Sequence, residues 1–192
     1  MNKLIIAASI FASATAWAGQ ECSIDLTKTA PNVRYSFEDN GTVTDTFTGL
    51  TWMRCPLGKT WQVEQQACRG EGTGMYWQAA LNEVQAINQS QAHPLHQFAG
   101  HTQWRMPNIK ELVSLAEHAC MKPALNPKAF AAGFPYSTSE EGYGSGDVRA
   151  YVWSNSHVQA DNTILMFDVR NAEIFAYGPT QLEGSVLLVT DQ

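Results

Sequence analysis

Four cysteines, five histidines and several acidic residues in glycine-containing stretches are the side chains that could carry chemistry. Cys22, Cys55, Cys68 and Cys120 contain no C-x-x-C spacing, so they spell neither a zinc knuckle nor a dithiol redox motif. An even number of cysteines in an exported chain reads instead as two disulfides, with three connectivities open. Cys55 and Cys68 border one polar, glycine-containing loop, which favours a short bond between them and leaves Cys22 with Cys120. The long bond would staple the N-terminus to the middle of the domain. His93, His96 and His101 lie close together, but Pro94 interrupts their spacing and no carboxylate or cysteine shares the loop, so zinc is not supported. His118 and His157 are isolated. Calcium is better served, because it takes hard oxygen ligands: Glu140, Glu141 and Asp147 share one loop, Asp161 and Asn162 another, and Asp168 borders a strand. No D-x-[DN]-x-[DN]-G loop is present, so calcium is suited only by ligand type, and no motif demands any other metal or cofactor.

Catalysis has less support still. There is no G-x-S-x-G, and the alternate glycines Gly142, Gly144 and Gly146 lack the strand and helix that a dinucleotide fingerprint requires. Nothing in the spacing of the acids marks a glycosidase pair. No catalytic residue is therefore assigned. Of the aromatic residues, Trp52, Trp77 and Trp153 fall at core positions, whereas Tyr143, among serines and glycines, is placed for ligand contact.

Positioning these groups falls to a β-rich beginning, two helices and a β-rich end. Val33–Phe37, the Asn40-Gly41 turn and Thr42–Asp45 read as strand, turn, strand, and Leu50–Arg54 continues the β pattern. Trp77, Ala80, Leu81, Val84 and Ile87 recur with helical period and predict an amphipathic helix of about four turns. A second helix should start at Asn108, with Glu111 completing a capping box, bury Ile109, Leu112, Val113 and Ala116, and end near Cys120. Tyr136–Arg149 reads as a long irregular loop. Strands are expected at Tyr151–Ser154, Ile164–Val169, Glu173–Tyr177 and Ser185–Thr190, the terminal β segments pairing to close the domain. This order predicts an α+β domain with both helices packed on an antiparallel sheet.

Residues 1–18 carry one lysine, a short apolar run and a small-residue cleavage motif at Ala16-Trp17-Ala18, the pattern of a signal peptide, and the run is too short to span a bilayer. Cleavage after Ala18 removes Lys3 and leaves a chain one charge more acidic than the −6 of the whole. That acidity argues against nucleic-acid binding, and no later run is long enough to insert in a membrane. With 44% hydrophobic residues against 16% charged, the chain can bury a core and is not disordered. The expected organisation is a signal peptide over 1–18, a disulfide-tied segment over 19–38 and a single domain over 39–192.

Four phrases carry a family resemblance: Asp39-Asn40-Gly41-Thr42-Val43-Thr44-Asp45, Thr48-Gly49-Leu50-Thr51-Trp52, Trp104 through Leu112 (W-R-M-P-N-I-K-E-L), and Tyr151-Val152-Trp153-Ser154-Asn155-Ser156. In this order they resemble the Lcl C-terminal domain family, named after a bacterial collagen-like adhesin, from about Asp39 to Val189. The resemblance implies a C-type-lectin-like fold, export, and adhesion to an extracellular glycan or surface protein, from the secreted space, cell surface or periplasm. The namesake's ligands are sulfated glycosaminoglycans. This sequence departs from it in lacking Gly-X-Y repeats and any basic cluster, since Lys122, Lys128, Arg149 and Arg170 are scattered. On the adhesin reading, contacts fall in Tyr136–Arg149 and Asn155–Asn162, with Tyr143, Asn155, His157, Asp161 and Asn162 as ligand-binding candidates. Two other readings follow: a structural subunit of a secreted or pilus-like assembly, or an enzyme on the related formylglycine-generating fold, which needs a reactive cysteine pair.

Overall fold

The computed structural model describes residues 20–130, 133–134 and 150–191. The segment read as a signal peptide lies outside the described residues, as do Tyr143, Glu140, Glu141 and Asp147 of the glycine loop. Strand β1 (Glu21–Cys22) comes first, and a 3-10 turn at Asn32–Arg34 leads into β2 (Tyr35–Phe37). Val33, expected in that strand, sits in the turn and is 90% exposed, because Pro31 caps the turn in an extended conformation. Strand β3 (Thr42–Asp45) pairs antiparallel with β2. The connecting Gly41 has φ +89°, and a Cβ there would come within 3.0 Å of Trp61.

Strand β4 (Thr51–Met53) continues the sheet and pairs on its other side with the last strand, β11 (Val189–Thr190), so the terminal β segments do meet. Between them the chain makes a hairpin that the sequence does not announce, β5 (Thr60–Gln62) with β6 (Ala67–Arg69), inside the loop closed by the Cys55–Cys68 disulfide. Helix α1 (Trp77–Gln89) appears where its period predicts. Helix α2 (Ile109–Ser114) begins as predicted, Asn108 and Glu111 each bonding the other's backbone N–H in a complete capping box. It ends well before Cys120. The Glu117 carboxylate is drawn into bonds with the N–H groups of Thr29, Ala30 and Ala119, and Cys120 leaves the helical path as part of β7 (Cys120–Met121), which pairs with β1.

An antiparallel meander follows, β8 (Tyr151–Val158), β9 (Thr163–Asp168) and β10 (Ile174–Tyr177). Strand β8 runs four residues beyond its expected end, with an irregularity between Trp153 and His157. Of the predicted final strand only Val189–Thr190 pairs as a regular ladder. Its earlier residues are still tied on both sides, since Ser185 exchanges bonds with Tyr151 and Trp153, and Val186 and Leu188 accept from Leu57 and Met53. The named strand pairs are all antiparallel, divided among four small sheets rather than one.

Two hydrophobic cores flank these strands. Leu112 and Leu115, in and just after α2, join one with Trp52, Val152, Phe167 and Leu187; Ala80, Val84 and Ile87 of α1 join the other with Met53, Trp153, Met166 and Leu188. Each helix thus covers a different side. Among the described residues no helix is long and apolar enough to cross a membrane.

Both expected disulfides are formed, Cys22–Cys120 and Cys55–Cys68, with sequence separations of 98 and 13. Loop-closure entropy assigns nearly 5 kcal/mol to a loop of about 100 residues and about 3 kcal/mol to one of about 15. Urea unfolding of the paired Cys→Ser variants should therefore show the larger loss when Cys22 and Cys120 are replaced; the reverse order would contradict this account of the N-terminal staple.

Candidate functional site

The hairpin β8–β9 brings together four of the five sequence-predicted ligand contacts. Asn155 and His157 lie on strand β8 rather than in a loop, because the strand extends to Val158, while Asp161 and Asn162 form the turn. All four are exposed. His157 Nε2 meets Asn162 Oδ1 at 3.1 Å, and Asp161 Oδ1 accepts from the Thr163 hydroxyl at 2.6 Å and its N–H at 3.3 Å. Asp161 is therefore committed to shaping its turn. Asp168 is committed too: it is buried and ion-paired with Arg170 at 2.7 Å. Among the described residues no group of three or more His, Cys, Asp and Glu could hold a metal ion. All four cysteines are disulfide-bonded, so the thiol-oxidase reading has no nucleophile in this state.

A concave site lies elsewhere. A half-open cavity of about 470 Å³ separates the N-terminal segment from the stretch after α2, lined by Gln20, Lys28, Asn32, Glu117, Asn126 and Lys128. Its size falls within the range of about 300–1,000 Å³ common for small-ligand pockets. The sequence hides it because its two walls are about a hundred residues apart. The signal that could have found it is the Cys22–Cys120 bond, which seats residues near 22 beside residues near 120.

The walls are built by hydrogen bonds that use up most of the buried polar groups. Glu117 is almost fully buried, and its carboxylate accepts the N–H groups of Thr29 at 2.9 Å, Ala30 at 3.0 Å and Ala119 at 3.1 Å. Burial pushes its pKa up, but these three bonds and the nearby Lys28 outweigh that and hold it below the usual carboxylate range. Asn126 donates to Ala30 O at 2.8 Å and Asn32 Oδ1 at 2.9 Å, and accepts from Ala129 N–H. Gln20 Nε2 bridges the carbonyls of Pro123 and Leu125, each at 2.8 Å. Behind the wall, the buried guanidinium of Arg54 donates to the carbonyls of Lys128 and Ala129 and stacks 3.6 Å from the Trp61 ring centre. Burial lowers its pKa to about 10. The Lys128 ammonium rests 4.2 Å from the Phe37 ring centre, and Lys28 makes no ion pair among the described residues.

The family model of the Lcl C-terminal domain matches residues 41–190. No curated protein and no solved structure matches the chain.

Glu117 makes the wall sensitive to acid. Its folded pKa lies below the unfolded value, so its contribution is complete above the unfolded value and is lost as pH falls through the folded one. Asp45 behaves likewise: burial raises its pKa, but bonds from Arg34, the Thr48 hydroxyl and Phe47 N–H bring it down. Stability measured by denaturant should fall steadily below about pH 4. The deficit of Glu117→Gln should be large at pH 7 and shrink at acid pH; a deficit independent of pH would contradict the assigned role of the carboxylate.

Proposed function

We propose that this chain, which belongs to the Lcl C-terminal domain family, is an exported, non-enzymatic recognition domain that binds a glycan at the bacterial surface. The family match over residues 41–190 carries the adhesin-related part of this reading. Two disulfides that consume every cysteine support an oxidising compartment outside the cytoplasm. The C-type-lectin-like placement belongs to the same proposal. It is supported by the order of strands, helices and strands, and by the pairing of β4 with β11.

Two surfaces are offered to a ligand, the polar tip of the β8–β9 hairpin and the cavity between the N-terminal segment and residues 117–128. The cavity is the better shaped. It is concave, polar on its walls, and edged by Pro31 and Pro127, whose hydrocarbon faces suit the C–H faces of a sugar ring.

Glycan-array binding of residues 19–192, in calcium and again in excess chelator, tests the reading. Binding to at least one glycan class, retained in chelator, is expected, because Asp161 and Asp168 are engaged within the fold. Absence of binding in both conditions would overturn the glycan reading in favour of a protein partner or an assembly subunit.

A further inference from the structure

The N-terminal wall of the cavity is held in place without apolar packing. Residues 21–29 are all exposed, and the two apolar side chains best suited to anchor them, Ile24 and Leu26, are 97% and 57% exposed. Burial begins at Ala30, where bonds to Glu117 and from Asn126 grip the chain. Before Thr29 the ties are the two bonds of Gln20 Nε2, the Ser23 N–H donated to Ala119 O, the short β1–β7 ladder, the exposed pair of Glu21 with Lys122, and the Cys22–Cys120 disulfide. Partly solvated bonds and a surface ion pair contribute little net, too little to offset the conformational entropy of ordering residues 20–28. The disulfide therefore seats this wall. Its two sulfurs are unequal. Cys22 is exposed and Cys120 is buried, which presents the Cys22 sulfur to a nucleophile and makes Cys120 the leaving group. In the other disulfide, Cys55 and Cys68 are both buried.

We infer that Cys22–Cys120 is a thiol-exchange site, through which a dithiol reductant releases residues 20–28 and takes down one wall of the cavity. One thiolate of the dithiol attacks Cys22 Sγ, the Cys22–Cys120 bond breaks, and Cys120 leaves as a thiolate and takes up a proton. The second thiol of the reductant, deprotonated, attacks the mixed disulfide and frees Cys22, which takes up a proton in turn. Two electrons pass from the dithiol, which ends as a disulfide, to the protein, which ends with two thiols. Gln20 and Lys28 then leave the cavity, whereas Asn32, Glu117 and Asn126 stay with the part of the chain anchored at Ala30. The consequence for binding rests on the glycan reading; the exchange and the release do not.

Dithiothreitol is the probe. Native residues 19–192 are treated with it, alkylated with iodoacetamide at intervals and mapped by mass spectrometry. Cys22 and Cys120 should be alkylated at least about tenfold faster than Cys55 and Cys68. In the protein reduced at that bond, the Ser23 amide should exchange its hydrogen at least about tenfold faster by NMR, while the amides of β4 and β8 keep their protection. The Cys22→Ser/Cys120→Ser variant should show the same exchange pattern with no reductant. Equal alkylation of the two pairs, or a Ser23 amide that stays protected in both the reduced protein and the variant, would overturn the assignment. The glycan array keeps the two proposals apart. Binding that is lost when Cys22–Cys120 is reduced supports both, and binding that survives the reduction overturns redox control of the cavity. An array on which the oxidised domain binds nothing removes the glycan reading, and alkylation and hydrogen exchange still decide the exchange site.

Discussion

Val152 and Trp153 are neighbours in the chain and are buried in different cores. The same alternation holds for Trp52 and Met53 on β4, and for Val186, Leu187, Leu188 and Val189 near the C-terminus. Successive side chains of an extended chain point to opposite faces, so these three segments form a central layer that must be covered on both sides. Helix α2 and the aromatic group around Phe130 cover one face, and α1 with Trp104 and Met106 covers the other. A one-residue slip of any of these segments would exchange its two faces, which is why each is fixed by bonds to its neighbours. Trp153 Nε1 donates to Met75 O at 2.7 Å, Trp77 Nε1 donates to Ser154 O at 3.1 Å, and Arg105 and Val189 exchange backbone bonds.

The phrases that mark the family resolve into devices that hold this layer. In the first, Asp45 gathers Arg34, Phe47 N–H and the Thr48 hydroxyl, so one buried carboxylate shapes the turn that delivers Trp52. In the W-R-M-P-N-I-K-E-L phrase, Trp104 and Met106 enter the core, Asn108 and Glu111 cap α2, and Arg105 grips both Glu111 oxygens at 2.8 Å while pairing with Asp191 near the C-terminus. In the last, Ser154 donates to Leu165 O and Ser156 accepts from Ile109 N–H, joining β8 to β9 and to the start of α2. These residues identify the fold, and the cavity draws on none of them.

That division explains what could be read from the sequence. Helix α1 was legible because its apolar spacing is local, and the start of α2 because a capping box spans four residues. The end of α2 was not, since the Glu117 carboxylate that ends it binds N–H groups 87 and 88 positions earlier in the chain. The β5–β6 hairpin was hidden because it is largely exposed and follows no apolar alternation. The cavity stayed invisible for the same reason as the end of α2. Its two walls are far apart in sequence, and the Cys22–Cys120 bond, the Glu117 contacts and the bonds from Asn126 to Ala30 and Asn32 bring them together.

The motif-bearing layer is thus distinct from the cavity stapled to its edge, which we propose as the recognition site. The most direct measurement is an amide NMR titration of residues 19–192 with the glycan that binds best on the array. Shifts concentrated at Gln20, Lys28, Asn32, Asn126 and Lys128, with the β8–β9 hairpin unmoved, are the predicted result. Shifts confined to Asn155–Asn162 would contradict it and return the site to the hairpin.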